Sequence, residues 1–108
     1  MSKTTLNAFE CKIRSDSNSI KYIKAIQMYP VGEAKTVDEL HGILESVASG
    51  YGGRIYRNEN NCIALMCTDS KLHLVHWYDY VVITMYNNGH HEIMVVSRTV
   101  FNSKYCIA

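Results

Sequence analysis

The sequence predicts an α+β fold: a mainly antiparallel β-sheet of about six to seven strands, in the order ββ-α-βββββ, with one packed amphipathic helix. Three observations predict it. From Tyr80 to Phe101, two runs rich in β-branched and aromatic residues flank Asn88-Gly89. That dipeptide tolerates the positive φ of a tight type I′ hairpin turn. Thr36-Val-Asp-Glu39 reads as a capping box, followed by Val37, Leu40, Ile43, Leu44 and Val47 at helical spacing. The remaining chain alternates short apolar runs with turn residues, which suits antiparallel strands backed by a helix.

In Phe9-Glu-Cys-Lys-Ile-Arg14, apolar and charged residues alternate with period two, as in a half-buried strand. Asp16-Ser-Asn-Ser19 is a turn cluster. Ile20 to Tyr29 reads as a second strand, although Ile20, Ile23 and Ile26 recur every three residues and also suit a helix. Pro30 and Gly32 end it. The helix spans about Val37 to Ser49, with Asp38 and Glu39 in its first turn, where they complement the dipole, and Gly50 as its C-cap. Strands follow at about Arg54–Arg57, Cys62–Cys67, Leu72–Trp77, Tyr80–Tyr86 and His91–Phe101, with a further short strand near Tyr105–Ile107.

The 108 residues read as a single globular domain: 47% are apolar, enough to bury a core without metal or disulfide staples. No apolar run approaches twenty residues, so no membrane span is expected. The first residues lack a signal-peptide apolar region, and a cytoplasmic protein is expected. Net charge is +1. Residues 36–50 carry three acidic groups and no basic one. This balance is less basic than proteins that neutralise several phosphates usually show. Cys11, Cys62, Cys67 and Cys106 form no C-x-x-C spacing and read as reduced, buried thiols.

A two-residue loop at Asn88-Gly89 pairs Tyr86 with His91, Met85 with Glu92 and Ile83 with Met94. A similar loop at Tyr78-Asp79 pairs Leu74 with Ile83, although Tyr disfavours positive φ. One face then collects Leu72, Leu74, Val81, Ile83, Met85, Met94, Val96 and Val100, and is assigned to the core. The other collects His73, Val75, Trp77, Tyr80, Tyr86, His91, Ile93 and Phe101. One helix cannot cover both faces, so the aromatic face is either covered by the N-terminal strands or exposed.

His73, His76, His90, His91 and Glu92 suggest a metal site, but His73 and His91 would lie ~12 Å apart from strand spacings alone, and no metal or cofactor is expected. Gly50-Tyr-Gly-Gly53 follows a helix rather than preceding one, so it is no phosphate loop. Lys12, Arg14, Lys21 and Lys24 read as solvent-facing residues of edge strands. No catalytic constellation emerges. The expectation is a small non-enzymatic binding protein that occludes a macromolecular partner, most readily a protein. This is the profile of an inhibitor of the mobile-element or viral type. Trp77, Tyr80, Tyr86, His91, His73 and Tyr51 are its candidate contacts. One alternative is a small hydrolase or nuclease using His91 with Tyr86. Another is a nucleic-acid or nucleotide-binding module using Arg54, Arg57 and the tyrosines. Homodimerisation is a further option.

Overall fold

The computed structural model describes residues 8–14, 19–30, 36–51 and 53–107. Its strands are β1 (Ala8–Ile13), β2 (Ile20–Gln27), β3 (Arg54–Arg57), β4 (Ile63–Met66), β5 (Leu72–Val75), β6 (Tyr80–Tyr86), β7 (His91–Val96) and β8 (Tyr105–Ile107). Its helices are α1 (Val37–Ala48), continued by a 3-10 turn at Ser49–Tyr51, and α2 (Arg98–Lys104). The fold is α+β with antiparallel sheets, as the patterning predicts. The strands form two sheets, however, not one: β7-β6-β2-β1-β8 and β3-β4-β5. Gly32 and most of the Asp16–Ser19 turn lie outside the described residues.

α1 starts as the capping box dictates. The Glu39 amide donates to Thr36 Oγ1 at 3.1 Å, and the Leu40 amide to the Thr36 carbonyl. Leu40, Ile43, Leu44, Val47 and Ala48 are buried along one stripe. Gly50 is not the stop; the helix tightens into the 3-10 turn, and the Gly53 amide closes on the Ala48 carbonyl at 3.1 Å. The threefold spacing in Ile20–Tyr29 does not make a helix, because β2 is fixed between two strands, β1 and β6. β1 and β2 are therefore interior strands, which corrects the edge-strand reading of their lysines. Lys24 lies directly opposite Glu10, an opposite-charge cross-strand pair.

The hairpin between β6 and β7 is shifted by one residue from its expected register. The loop has three residues, Asn87 to Gly89. The Gly89 amide donates to the Tyr86 carbonyl, the Tyr86 amide to the His90 carbonyl, and Gly89 takes φ +87°. This is a type I turn followed by a left-handed residue. Ile83 thus opposes Ile93, Thr84 opposes Glu92 and Met85 opposes His91. Shifting by one residue moves every β7 side chain to the other face. Ile93, expected on the aromatic face, is buried in the aliphatic core, and Glu92 leaves that core.

The same loop recurs twice. Between β3 and β4 the Asn61 amide donates to the Asn58 carbonyl and the Asn58 amide to the Cys62 carbonyl. Between β4 and β5 the Ser70 amide donates to the Cys67 carbonyl and the Cys67 amide to the Lys71 carbonyl. Asn61 and Ser70 have φ of 59° and 65°. The second loop sets Ile63 opposite Val75 and Leu65 opposite His73. Val75 is consequently buried, and Leu72 and Leu74, expected in the core, stand 51% and 56% exposed. Tyr78-Asp79 does not join paired strands, since β5 and β6 belong to different sheets. Tyr78 does accept a φ of 73°, held by hydrogen bonds that tie Tyr78 and Asp79 to Met28.

Each face of the five-stranded sheet has its own cover. On one side Ile26, Met28, Val81, Ile83 and Ile93 share a core with the α1 stripe and with Ile63, Leu65 and Val75 of the small sheet. On the other side Cys11, Ile23, Ala25 and Val82 pack with Phe101 and Tyr105, and Phe9 and Tyr80 flank them. Phe101 belongs to α2, which corrects the expected strand across residues 97–101. Ser97 ends β7 as an N-cap whose side chain accepts from the Val100 amide. Tyr80 stacks on Phe101 at 4.0 Å between ring centroids, and Phe9 meets both rings edge-on. The aromatic face is thus neither open nor covered by the N-terminal strands: a C-terminal helix lies across it.

Two outcomes follow. Phe101→Ala removes the centre of this ring cluster and is expected to cost about 3–5 kcal/mol in chemical denaturation, whereas exposed Val100→Ala on the same helix costs under about 1 kcal/mol. Ser70→Gly relieves a left-handed non-glycine and is expected to stabilise the fold by about 0.5–1 kcal/mol, read from the same denaturation midpoints.

Candidate functional site

The six candidate contact residues do not share a surface. Tyr80 lies against the α2 cluster. Tyr86 sits on the same side of β6, where its hydroxyl is hydrogen-bonded to Glu92. Burial first, then that carboxylate, push the Tyr86 phenol above its ordinary value. Trp77 packs against the opposite core, beside α1 and the small sheet. His73 faces inward from β5, and its Nε2 lies 2.8 Å from Asp69 Oδ2. That hydrogen bond is the main reason the Asp69 carboxyl titrates below its ordinary value.

Tyr51 and His91 are brought together. Their ring centroids are 5.8 Å apart, and His91 Nε2 lies 3.3 Å from the Tyr51 carbonyl oxygen. An imidazole N–H donated to that carbonyl orients the ring and occupies one nitrogen. The register shift places His91 opposite Met85 and leaves Tyr86 beside His90, at 6.1 Å between centroids. Tyr86 and His91 therefore point to opposite faces of the hairpin, and the acid–base pair expected from a two-residue loop is not assembled. Among the described residues, no group of three His, Cys, Asp or Glu side chains is placed to hold a metal ion.

The small sheet carries a different surface. Its inner residues, Ile55, Ile63, Leu65 and Val75, belong to the core. Alternation then places Arg54, Tyr56, Ala64, Met66, Leu72 and Leu74 on its outer face. Tyr56 is 43% exposed, and Leu72 and Leu74 more so. Three large apolar side chains thus stand in solvent on one face of one short sheet. Sequence reasoning missed them because it paired β5 with β6. The run Ile63-Ala-Leu-Met-Cys67 is apolar throughout and shows no period-two pattern; its alternate burial is set by the fold, and the three-residue loop at Thr68–Ser70 transmits that phase to β5.

Beside this face lies a pocket of about 230 Å³, between the start of α1 (Val37, Leu40), the β3–β4 loop (Asn61, Cys62) and the end of β5 (Leu74, His76, Trp77). Arg57 fixes its Asn61 wall through bonds to Asn61 Oδ1, and its Nη1 lies 2.7 Å from Asp38 Oδ1. Cys62 is exposed, which corrects its expected burial; Cys11 and Cys67 are buried. Burial pushes both buried thiols up to about 11.

Comparison with family models, with curated proteins and with solved structures finds no match to this chain, so its own geometry carries the functional argument. Among the described residues, no helix is long and apolar enough to cross a membrane.

The thiols provide a direct check. In native protein, Cys62 should react with an aromatic disulfide reagent well before Cys11 and Cys67, which should react only on unfolding. Because folding raises the Cys11 and Cys67 values from 9.0 to about 11, the folded state holds their protons more tightly. Their contribution is complete below pH 9 and declines as pH rises through about 11. Denaturation midpoints measured across that window should fall, and Cys11→Ala with Cys67→Ala should flatten the decline.

Proposed function

We propose that this chain is a small non-enzymatic binding protein that occludes part of a partner protein through the outer face of β3-β4-β5. The observation that carries this reading is the grouping of Tyr56, Leu72 and Leu74, all exposed, on one sheet face, with Ala64 between Tyr56 and Leu74 and Met66 opposite Leu72. A scattered exposed leucine needs no explanation, but an apolar group on one face marks an interaction surface. The chain gains nothing internally from these residues, because both faces of its large sheet are already covered. Tyr56 and Arg54 add the residue types that dominate binding hot spots. A flat, short, apolar face suits the broad surface of a folded protein better than a small ligand.

The test uses a partner first captured by the wild-type chain from cells of its native host, then purified and titrated. Leu72→Glu with Leu74→Glu should leave the thermal midpoint nearly unchanged, since both positions are exposed. Affinity should fall at least about tenfold. Undiminished binding by that variant would remove this face as the interface. Turnover of RNA by the purified chain, lost in His91→Ala, would replace the binding reading with an enzymatic one.

A further inference from the structure

The edges of the two sheets are treated differently. In β7, the bond from the Tyr86 amide to the His90 carbonyl makes Thr84–Glu92 and Val82–Met94 hydrogen-bonded pairs, so Ile93 and Val95 turn their backbone groups away from β6. Both Ile93 groups are met, and Val95 is engaged as well. The Thr68 amide donates to the Ile93 carbonyl at 3.3 Å, the Ile93 amide donates to Thr68 Oγ1 at 3.1 Å, and Val95 is hydrogen-bonded to Cys67. The β4–β5 loop thus caps this edge.

Among the described residues, β3 has β4 as its one strand neighbour. The bond from the Asn58 amide to the Cys62 carbonyl makes Tyr56–Ala64 and Arg54–Met66 the hydrogen-bonded pairs. Ile55 and Arg57 therefore aim their N–H and C=O groups away from β4. Beside them lies a groove of about 260 Å³ lined by Gly53 and Ile55 and by His41 and Glu45 of α1. Asp38, His41, Gly42 and Glu45 follow one another at i, i+3, i+4 and i+7, so they form a second stripe along α1. Gly42 is unfavourable in a helix interior, yet a Cβ there would meet nothing within 4 Å. The glycine answers no packing need of the fold and leaves room on the helix for an approaching chain.

We propose that β3 accepts an extended segment of a partner protein as an added antiparallel strand, and that this segment carries a lysine or arginine facing Glu45. The proposal concerns the edge of the small sheet and goes beyond the docking face described above. Charge selects the occupant. Residues 36–50 carry three acidic groups and no basic one. Asp38 is already held by Arg57 at 2.7 Å, whereas the Glu45 side chain is 70% exposed, with His41 at 3.9 Å. A second copy of this chain fits less well: its Arg57 is engaged by its own Asp38 and Asn61, and its Arg54 lies on the outer face. A lysine on the α1 side of a foreign strand is free to reach Glu45. The backbone bonds would supply affinity and the alternate side chains selectivity, as in other strand-addition sites.

The experiment is a titration of the full isotope-labelled chain with acetyl-Thr-Val-Lys-Val-Thr-amide and with its glutamate counterpart, followed by amide chemical shifts. The expected result is movement of the Ile55, Arg57 and Glu45 signals at millimolar peptide, with the lysine peptide binding several-fold tighter. Glu45→Lys should reverse that preference. Ile55→Pro deletes an outward N–H that β4 does not use and should weaken both peptides about tenfold; if it fails to fold, Glu45→Lys alone decides. Equal binding of the two peptides with no response to Glu45→Lys overturns the proposal, as does the absence of any shift at these residues. Self-association abolished by Glu45→Lys would make a second copy the occupant and overturn it too. Leu72→Glu with Leu74→Glu should leave peptide binding intact, so failure at the edge and failure at the outer face are read separately.

Discussion

The three-residue hairpin loop, closed by one left-handed residue, is the constraint on which the rest of this structure depends. It occurs at Asn61, Ser70 and Gly89, each time with the same pair of backbone hydrogen bonds. Side chains alternate along a strand, so loop length decides which half of the following strand is buried. At Gly89 the third loop residue puts Ile93 into the core and Glu92 beside Tyr86. At Ser70 it buries Val75 and releases Leu72 and Leu74 to solvent. The candidate interface is therefore a consequence of turn geometry two residues before it begins.

The second constraint is that a five-stranded sheet has two apolar faces and needs two covers. α1 and the small sheet supply one. α2 supplies the other with few residues, because Phe101 stacks on Tyr80 at 4.0 Å and on Tyr105 at 5.3 Å. Offset and edge-on ring contacts add about 0.5–1.5 kcal/mol per pair beyond the area they bury. This explains how a seven-residue helix suffices. It also explains why the tyrosines do not form an open platform. Tyr80 is spent on holding the C-terminal segment to the sheet, whereas Tyr56, Leu72 and Leu74 are exposed together on the small sheet.

The shape of the α1–β3 region follows from the same economy. α1 comes close to the chain just before β3 at Gly53, where a Cβ would stand 3.0 Å from that of Ala48. At the other end of β3 the Arg57–Asp38 bridge spans helix and strand. Between these two ties the helix flank and the strand edge stand apart, leaving backbone groups and one exposed carboxylate. An exposed ion pair of this kind contributes little to stability, so its service is positional: it holds Arg57 away from Glu45.

The sequence by itself determined the elements whose cause is local. The Thr36–Glu39 cap and the apolar stripe behind it specify α1, and period-two patterning specifies β1 and the strand content of the second half. The cysteines carry no metal or disulfide spacing in the sequence, but the exposure of Cys62 is not readable there. What only the tertiary structure decided is pairing. Whether Asn88-Gly89 closes a two- or a three-residue loop changes one hydrogen bond locally and every contact of β7 globally, and both loops are compatible with the residues present. Whether β5 joins β6 depends on Met28, fifty residues from Tyr78, which captures that segment instead. The candidate contacts Trp77, Tyr80 and Tyr86 were grouped by a register that the fold does not adopt. The surface that took their place, Tyr56, Leu72 and Leu74, is set by long-range strand pairing, and no local propensity distinguishes a leucine that will be covered from one that will not.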